Sequence, residues 1–134
     1  MGSGGGGGAR DQDCCALPGG GGNGGGIVEI FTPAFIGSGG RISSCGAKGQ
    51  DAGHNIEVKG GAQGGGGGGA GGSILLVTNF AGVPTNGSVS IDVRGGVGGK
   101  ESDPSYYAPG GKGSSGRFTW HKLQMSESGP LSVH

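Results

Sequence analysis

Residues 60–72 read GGAQGGGGGGAGG, and the chain then passes directly into SILLVT with no proline or charge between. This stretch constrains the fold more than any other. Each interior glycine costs a helix about 0.5–1 kcal/mol relative to alanine, so a run of this kind is closed to the α-helix. The absence of Cβ atoms also permits a packing denied to other residues, in which extended backbones lie directly against one another. Forty of the 134 residues are glycine, and runs recur as GGGGNGGG (19–26), GGVGG (95–99) and PGGKGSSG (109–116). They are not spaced as collagen triplets and proline is scarce, which excludes a triple helix. HKLQMSES (121–128), in the longest glycine-free stretch, is the one window where a helix is expected.

The runs precede a repeat. GGGIVEIFT (24–32), AGGSILLVT (70–78) and SSGRFTWHK (114–122) align, with Gly26, Gly72 and Gly116 lying 46 and 44 residues apart. Val28, Ile74 and Phe118 fall in one column and Ile30, Leu76 and Trp120 in another, the period of two that places them on one strand face. The opposite face is mixed, with Glu29, Leu75 and Thr119 in one column and Phe31, Val77 and His121 in the next. A second echo links HNIEVKGG (54–61) to VSIDVRGG (89–96), matching Ile56 to Ile91 and Glu57 to Asp92; GRISSCG (40–46) aligns with the same stretch, and the register stays open. The turn signals GSGG (37–40), PTNG (84–87) and DPSYYAPGG (103–111) separate the strands.

These features predict an all-β fold of short stacked strands in a glycine-rich, β-solenoid-like repeat, with the glycine runs packed as polyglycine II segments or left as loops. The organisation expected is a flexible segment 1–18, a repeat domain 19–123 with units near 19–65, 66–111 and 112–123, and a tail 124–134. Leu, Ile, Val and Phe total 24, so any side-chain core is thin.

Charge and cysteine content narrow the function. Nine basic and nine acidic residues leave no net charge and no broad basic face, which argues against a nucleic-acid partner. No run reaches membrane-spanning length and no signal peptide is visible, so no membrane insertion is expected. The three cysteines form no CxxC unit, no metal site or cofactor is expected, and the count allows one bridge, from Cys45 to Cys14 or Cys15.

The pairing of GGGGGGAGGSILLVT with GSVSIDVRGGVGG resembles the glycine-rich repeat of large surface and secreted proteins of β-solenoid type. That resemblance covers roughly residues 19–120 and implies extracellular structural or adhesive work, with neighbouring repeats as partners and no catalytic residues to carry over. The runs with diverse intervening loops, KESDPSYYAPGG (100–111) above all, are similar to the glycine-rich receptor-binding adhesins of phage tail fibres, which implies a cell-surface glycan or protein receptor. A disordered glycine-rich linker is the reading from a different class.

Catalysis is not expected. The acids are scattered singly, no GxSxG, HExxH or Walker lysine is present, and Glu57 and Asp92 each have a base two residues on, the spacing of a same-face strand charge pair. The candidate ligand-binding residues are Tyr106, Tyr107 and Asp103, in a proline-bounded loop where aromatic rings either stack on a sugar or receptor or cover the edge of the stack. Trp120 is expected in the core and His121 on the surface.

Overall fold

The protein is described by a computed structural model, which covers residues 1–10, 17–33, 39–53, 63–78, 89–103 and 108–122. Among these residues the regular elements are all strands: β1 (Ile27–Thr32), β2 (Gly40–Ser43), β3 (Ser73–Thr78), β4 (Val89–Asp92) and β5 (Arg117–Lys122). They form two parallel sheets, one in the order β1-β3-β5 and one pairing β2 with β4. Gly39, just before β2, is in the left-handed region at φ 82°, where glycine alone is unstrained.

The rest of the described chain is held by six extended runs: run 1 (2–9), run 2 (17–26), run 3 (44–53), run 4 (63–72), run 5 (93–100) and run 6 (108–116). An extended threefold chain has no internal hydrogen bonds, so each N–H must find a partner on a neighbouring chain. Run 4 shows how completely this is done. Its nine consecutive N–H groups from Gly64 to Gly72 all donate to other runs, at 2.8–3.1 Å, in strict rotation. Gly64, Gly67 and Ala70 reach run 1 at Ala9, Gly6 and Ser3; Gly65, Gly68 and Gly71 reach run 6 at Ala108, Gly111 and Ser114; Gly66, Gly69 and Gly72 reach run 3 at Gln50, Ala47 and Ser44. The carbonyls of Gly64, Gly67 and Ala70 accept from run 2, and those of Gly66 and Gly69 from run 5. This three-residue rotation is that of packed polyglycine II helices.

Run 4 is therefore central, with the others around it in the order 1, 2, 3, 5, 6. Adjacent members of this ring also bond to each other, as in Gly2 N–H to Gly25 O and Ala47 N–H to Asn23 O, both 2.8 Å, and Gly46 N–H to Arg94 O, 2.9 Å. Runs 2, 4 and 6 are parallel and make the middle layer; runs 3 and 5 form a layer antiparallel to it, and run 1 lies on the other side.

Position in this lattice sets where glycine is needed. A Cβ on Gly66 or Gly69 would collide with the carbonyl of Gly20 or Asn23, and one on Gly65 or Gly68 with the carbonyl of Gly99 or Gly96. In run 3 only Gly46 and Gly49 face run 4 so closely; Ala47 and Lys48 between them are exposed, as is Gln50, whose Oε1 lies beside Gly20 of run 2. Ser44 and Gln63, by contrast, are the non-glycine residues of runs 3 and 4 that are buried.

Runs 2, 4 and 6 continue into β1, β3 and β5, and runs 3 and 5 follow β2 and β4. The hand-over is seamless: Gly25 N–H to Ala70 O at 2.8 Å is succeeded by Ser73 N–H to Gly26 O at 3.0 Å. The strand register pairs Val28 with Ile74 and Ile74 with Phe118, Ile30 with Leu76 and Leu76 with Trp120, the columns read from the repeat. This is the face that turns toward run 3, where Gly72 N–H meets Ser44 O at 2.8 Å and Ser44 Oγ donates to Gly26 O at 2.7 Å. Ile74, Leu76 and Thr78 on the central strand are buried.

Several expectations change. Run 1 lies within the segment 1–18 expected to be flexible, and its Gly2, Gly5 and Gly8 are bonded to run 2 at 2.8 Å. Ile91 is paired with Ile42 of β2, which resolves the open register in favour of GRIS; Ile56 and its neighbours lie outside the described residues. Trp120 is not core: as a residue of the edge strand β5 it keeps 42 % of its surface exposed.

Candidate functional site

With the lattice built almost entirely from backbone, side-chain chemistry is confined to its margins. The densest cluster lies where β4 runs into run 5. Asp92 is buried, and its carboxylate pairs with the guanidinium of Arg41 from β2 and with that of Arg94, whose Nη2 lies 2.7 Å from Oδ2 and whose Nε donates to Oδ1 at 2.9 Å. The Arg94 backbone N–H also donates to Oδ1, at 3.2 Å. The parallel register of β2 and β4 creates this triad by placing Ser43 opposite Asp92, so that Arg41 reaches across diagonally. Cys45 Sγ lies 3.6 Å from the Asp92 carbonyl and 3.4 Å from Ser43 Oγ. Hydrogen bonding to Arg94, above all, holds the Asp92 carboxyl far below the usual carboxylate range.

Two guanidiniums on one carboxylate leave one net positive charge on the rim of an open groove of about 520 Å³, lined by Arg41, Ser90, Asp92, Arg94 and Ser115 among others. Asp92 is saturated with donors, so it is suited to organising the two arginines and not to accepting a proton from a substrate. A similar but fully exposed pair joins Lys48 to Asp51 at 2.8 Å, and the Asp51 carboxylate also accepts from the Lys100 N–H at 2.8 Å; the bond to Lys48 leads in lowering the Asp51 pKa.

The second feature is aromatic. Edge strand β5 presents Phe118 and Trp120, each about two-fifths exposed, and Lys122, whose Nζ stands 4.7 Å from the Trp120 ring centroid. Trp120 Nε1 donates to Thr78 Oγ1 at 3.0 Å, which fixes the ring across the end of β3 while leaving part of it in solvent. At the opposite edge of the same sheet Phe31 is 69 % exposed. Half-exposed rings with a satisfied N–H and an adjacent cation make a surface suited to stacking on a sugar face or a receptor loop.

The predicted binding residues are placed only in part. Tyr106 and Tyr107 lie outside the described residues, as do Cys14 and Cys15, the predicted partners of Cys45. Asp103 is half-buried at the glycine end of the molecule, next to Ser102, which bonds to Gln63 at 3.1 and 2.9 Å. It is thus remote from the aromatic edge, which lies beyond the far end of run 6. The Asp92–Arg94 pair is readable from its two-residue spacing; Arg41, 51 residues away, is not. Among the described residues no helix is long and apolar enough to cross a membrane. No family model, curated protein or solved structure matches this chain.

Proposed function

We propose that this chain is a non-enzymatic adhesive module of a surface or secreted protein, in which a polyglycine lattice serves as a rigid mount for recognition by its strand-end surface. One observation carries the reading: run 4 commits nine consecutive N–H groups to neighbouring backbones, so the interior holds order without side chains and leaves every functional group at the margin. Such a mount presents the Phe118–Trp120–Lys122 edge at low entropic cost, because the rings are already held. The partner class that fits is a cell-surface glycan or an exposed receptor loop.

Within this reading the packed runs favour the form resembling the receptor-binding adhesins of phage tail fibres. The alternation of the chain between two layers of parallel neighbours is equally consistent with a solenoid-like unit of a longer repeat protein. A disordered linker would have no use for the lattice.

The test is binding of the labelled chain to a panel of immobilised cell-surface glycans and receptor proteins. Saturable binding is expected, weakened tenfold or more by Trp120→Ala, with Trp120→Phe keeping most of it and both variants retaining cooperative unfolding. Binding that is indifferent to Trp120 would reject the aromatic edge as the site, and turnover of a panel glycan would reject the non-enzymatic reading.

A further inference from the structure

Among the described residues the ring around run 4 has five members where a close-packed hexagon has six. Runs 1, 2, 3, 5 and 6 are joined in sequence by hydrogen bonds, but among the described residues none joins run 6 back to run 1. Between them lies a groove of about 520 Å³ whose walls are residues 5–9 of run 1 and 108–112 of run 6 and whose floor is Gly64, Gly65, Gly67 and Gly68 of run 4.

The hydrogen bonds say what this sixth place would take. Around the ring, run 4 alternately gives and receives: it donates to runs 1, 3 and 6 and accepts from runs 2 and 5. The remaining direction, between runs 6 and 1, is by this alternation an accepting one. The carbonyls left over are the matching ones. Gly65 and Gly68 are buried, yet no backbone N–H of the described residues donates to either carbonyl, while those of Gly64, Gly66, Gly67 and Gly69 all have such a donor. Both residues line the groove, so their carbonyls are left to solvent or to a donor from outside the described residues.

The glycine distribution gives an independent sign. Most lattice glycines would collide with a neighbouring backbone if they carried a Cβ, but a Cβ on Gly6 or Gly111 would meet nothing within 4 Å, and one on Gly7 would only touch Gly19 O at 3.9 Å. All three line the groove. Gly7 is turned toward run 2, but nothing in the chain's own packing requires glycine at Gly6 or Gly111, whereas a backbone lying in the groove would.

We infer that the groove is a docking site for one extended glycine-rich segment of a partner polypeptide, which completes the hexagon by donating an N–H at every third residue to Gly65 and Gly68. Either chain direction is accepted, because run 2 gives to run 4 as a parallel neighbour and run 5 as an antiparallel one. The proposal is separate from the aromatic edge and does not depend on it.

The experiment uses the full chain and a lysine-flanked octaglycine peptide, followed by calorimetry and by exchange-resolved NMR. Saturable one-to-one binding is expected, with shifts confined to the groove residues. A peptide of the same length built from N-methylglycine, which has no N–H to donate, should bind at least tenfold more weakly. The double substitution Gly6→Leu and Gly111→Leu fills the groove at positions where a Cβ is free of contacts, so it should leave the unfolding temperature within a few degrees and abolish binding. No binding of octaglycine, or equal binding of the N-methylated peptide, overturns the proposal. So does octaglycine binding that survives the double substitution, or a groove found by sedimentation to be filled by a second copy of the chain.

Discussion

The same three backbones lie side by side in two different ways along this molecule. Through runs 2, 4 and 6 each chain bonds to neighbours in several directions in turn; from Ile27, Ser73 and Arg117 onward the same chains, now β1, β3 and β5, pair their backbones within their sheet. In the first half layers touch through backbone, and side chains are excluded. In the second half the pleat directs side chains between layers, so Ile74, Leu76 and Thr78 must fill what backbone filled before. Order can thus come from hydrogen bonds in three directions or from two plus side-chain burial, and this chain changes from one to the other within a residue or two.

The comparison breaks most sharply at Gly69. A Cβ there would collide with the Asn23 carbonyl and, with its partner atoms all backbone, nothing can move aside cheaply. Gly69→Val should therefore cost more than about 3 kcal/mol, beyond ordinary overpacking, and remove the cooperative transition followed by calorimetry. A Gly69→Val protein that melts within a few degrees of the parent would show that the lattice does not hold the fold. On the strand side Leu76→Ala should cost about 2–4 kcal/mol, the range of a buried leucine in a site that partly collapses, read from denaturant midpoints. A smaller loss than this would mean the sheets are held by the lattice alone.

These two halves were unequally visible in the sequence. The strand half was legible because alternation at Val28, Ile30, Ile74, Leu76, Phe118 and Trp120 reports a pleat directly, and the observed register follows the repeat. The lattice half was legible only where glycine is dense. Run 3 needs glycine only at 46 and 49, so GAKGQDA does not look like its neighbours although it lies in the same lattice. Run 1 is visibly glycine-rich, but nothing local tells a mobile glycine tail from a packed one; the difference is made by Gly22 and Gly67, far along the chain. Trp120 reads as core from its column, and only strand order shows that the column ends at an edge. The Asp92 cluster was half legible, since its Arg94 arm is local and its Arg41 arm depends on the parallel pairing of β2 with β4.

At the junction of the two halves, Asp92 supplies a pH-dependent test. Its folded-state pKa is depressed, chiefly by Arg94, below the unfolded value of about 3.9. The sign follows: its contribution to stability is full above about pH 5 and is lost as pH falls below about 4 toward the depressed folded value. The parent should lose melting temperature steadily between pH 5 and pH 2. Asp92→Asn should melt lower than the parent at pH 7, because two guanidiniums lose their carboxylate, and the gap should narrow as the solution is acidified. A gap that stays constant with pH would mean the triad does not hold β4 to β2.

The smallest expected effect is the most discriminating, because it concerns glycines that the sequence alone cannot tell apart. Gly111 and Gly113 stand two positions apart in run 6, yet a Cβ on Gly113 would collide with the Gly69 carbonyl, while one on Gly111 would meet nothing within 4 Å. Replacing an unconstrained glycine by alanine reduces the freedom of the unfolded chain and stabilises by about 0.4–1 kcal/mol where the native backbone suits alanine. Gly111 has no positive φ, so Gly111→Ala should leave stability unchanged or raise it by up to that amount. Gly113→Ala should lower it by more than about 1 kcal/mol, since the fixed backbone opposite must shift. Chemical denaturation of the two variants beside the parent decides the matter. Equal effects would mean that glycine is distributed along the runs without regard to the lattice; a split of opposite sign would show that the need for glycine is set position by position, by which neighbour each residue faces.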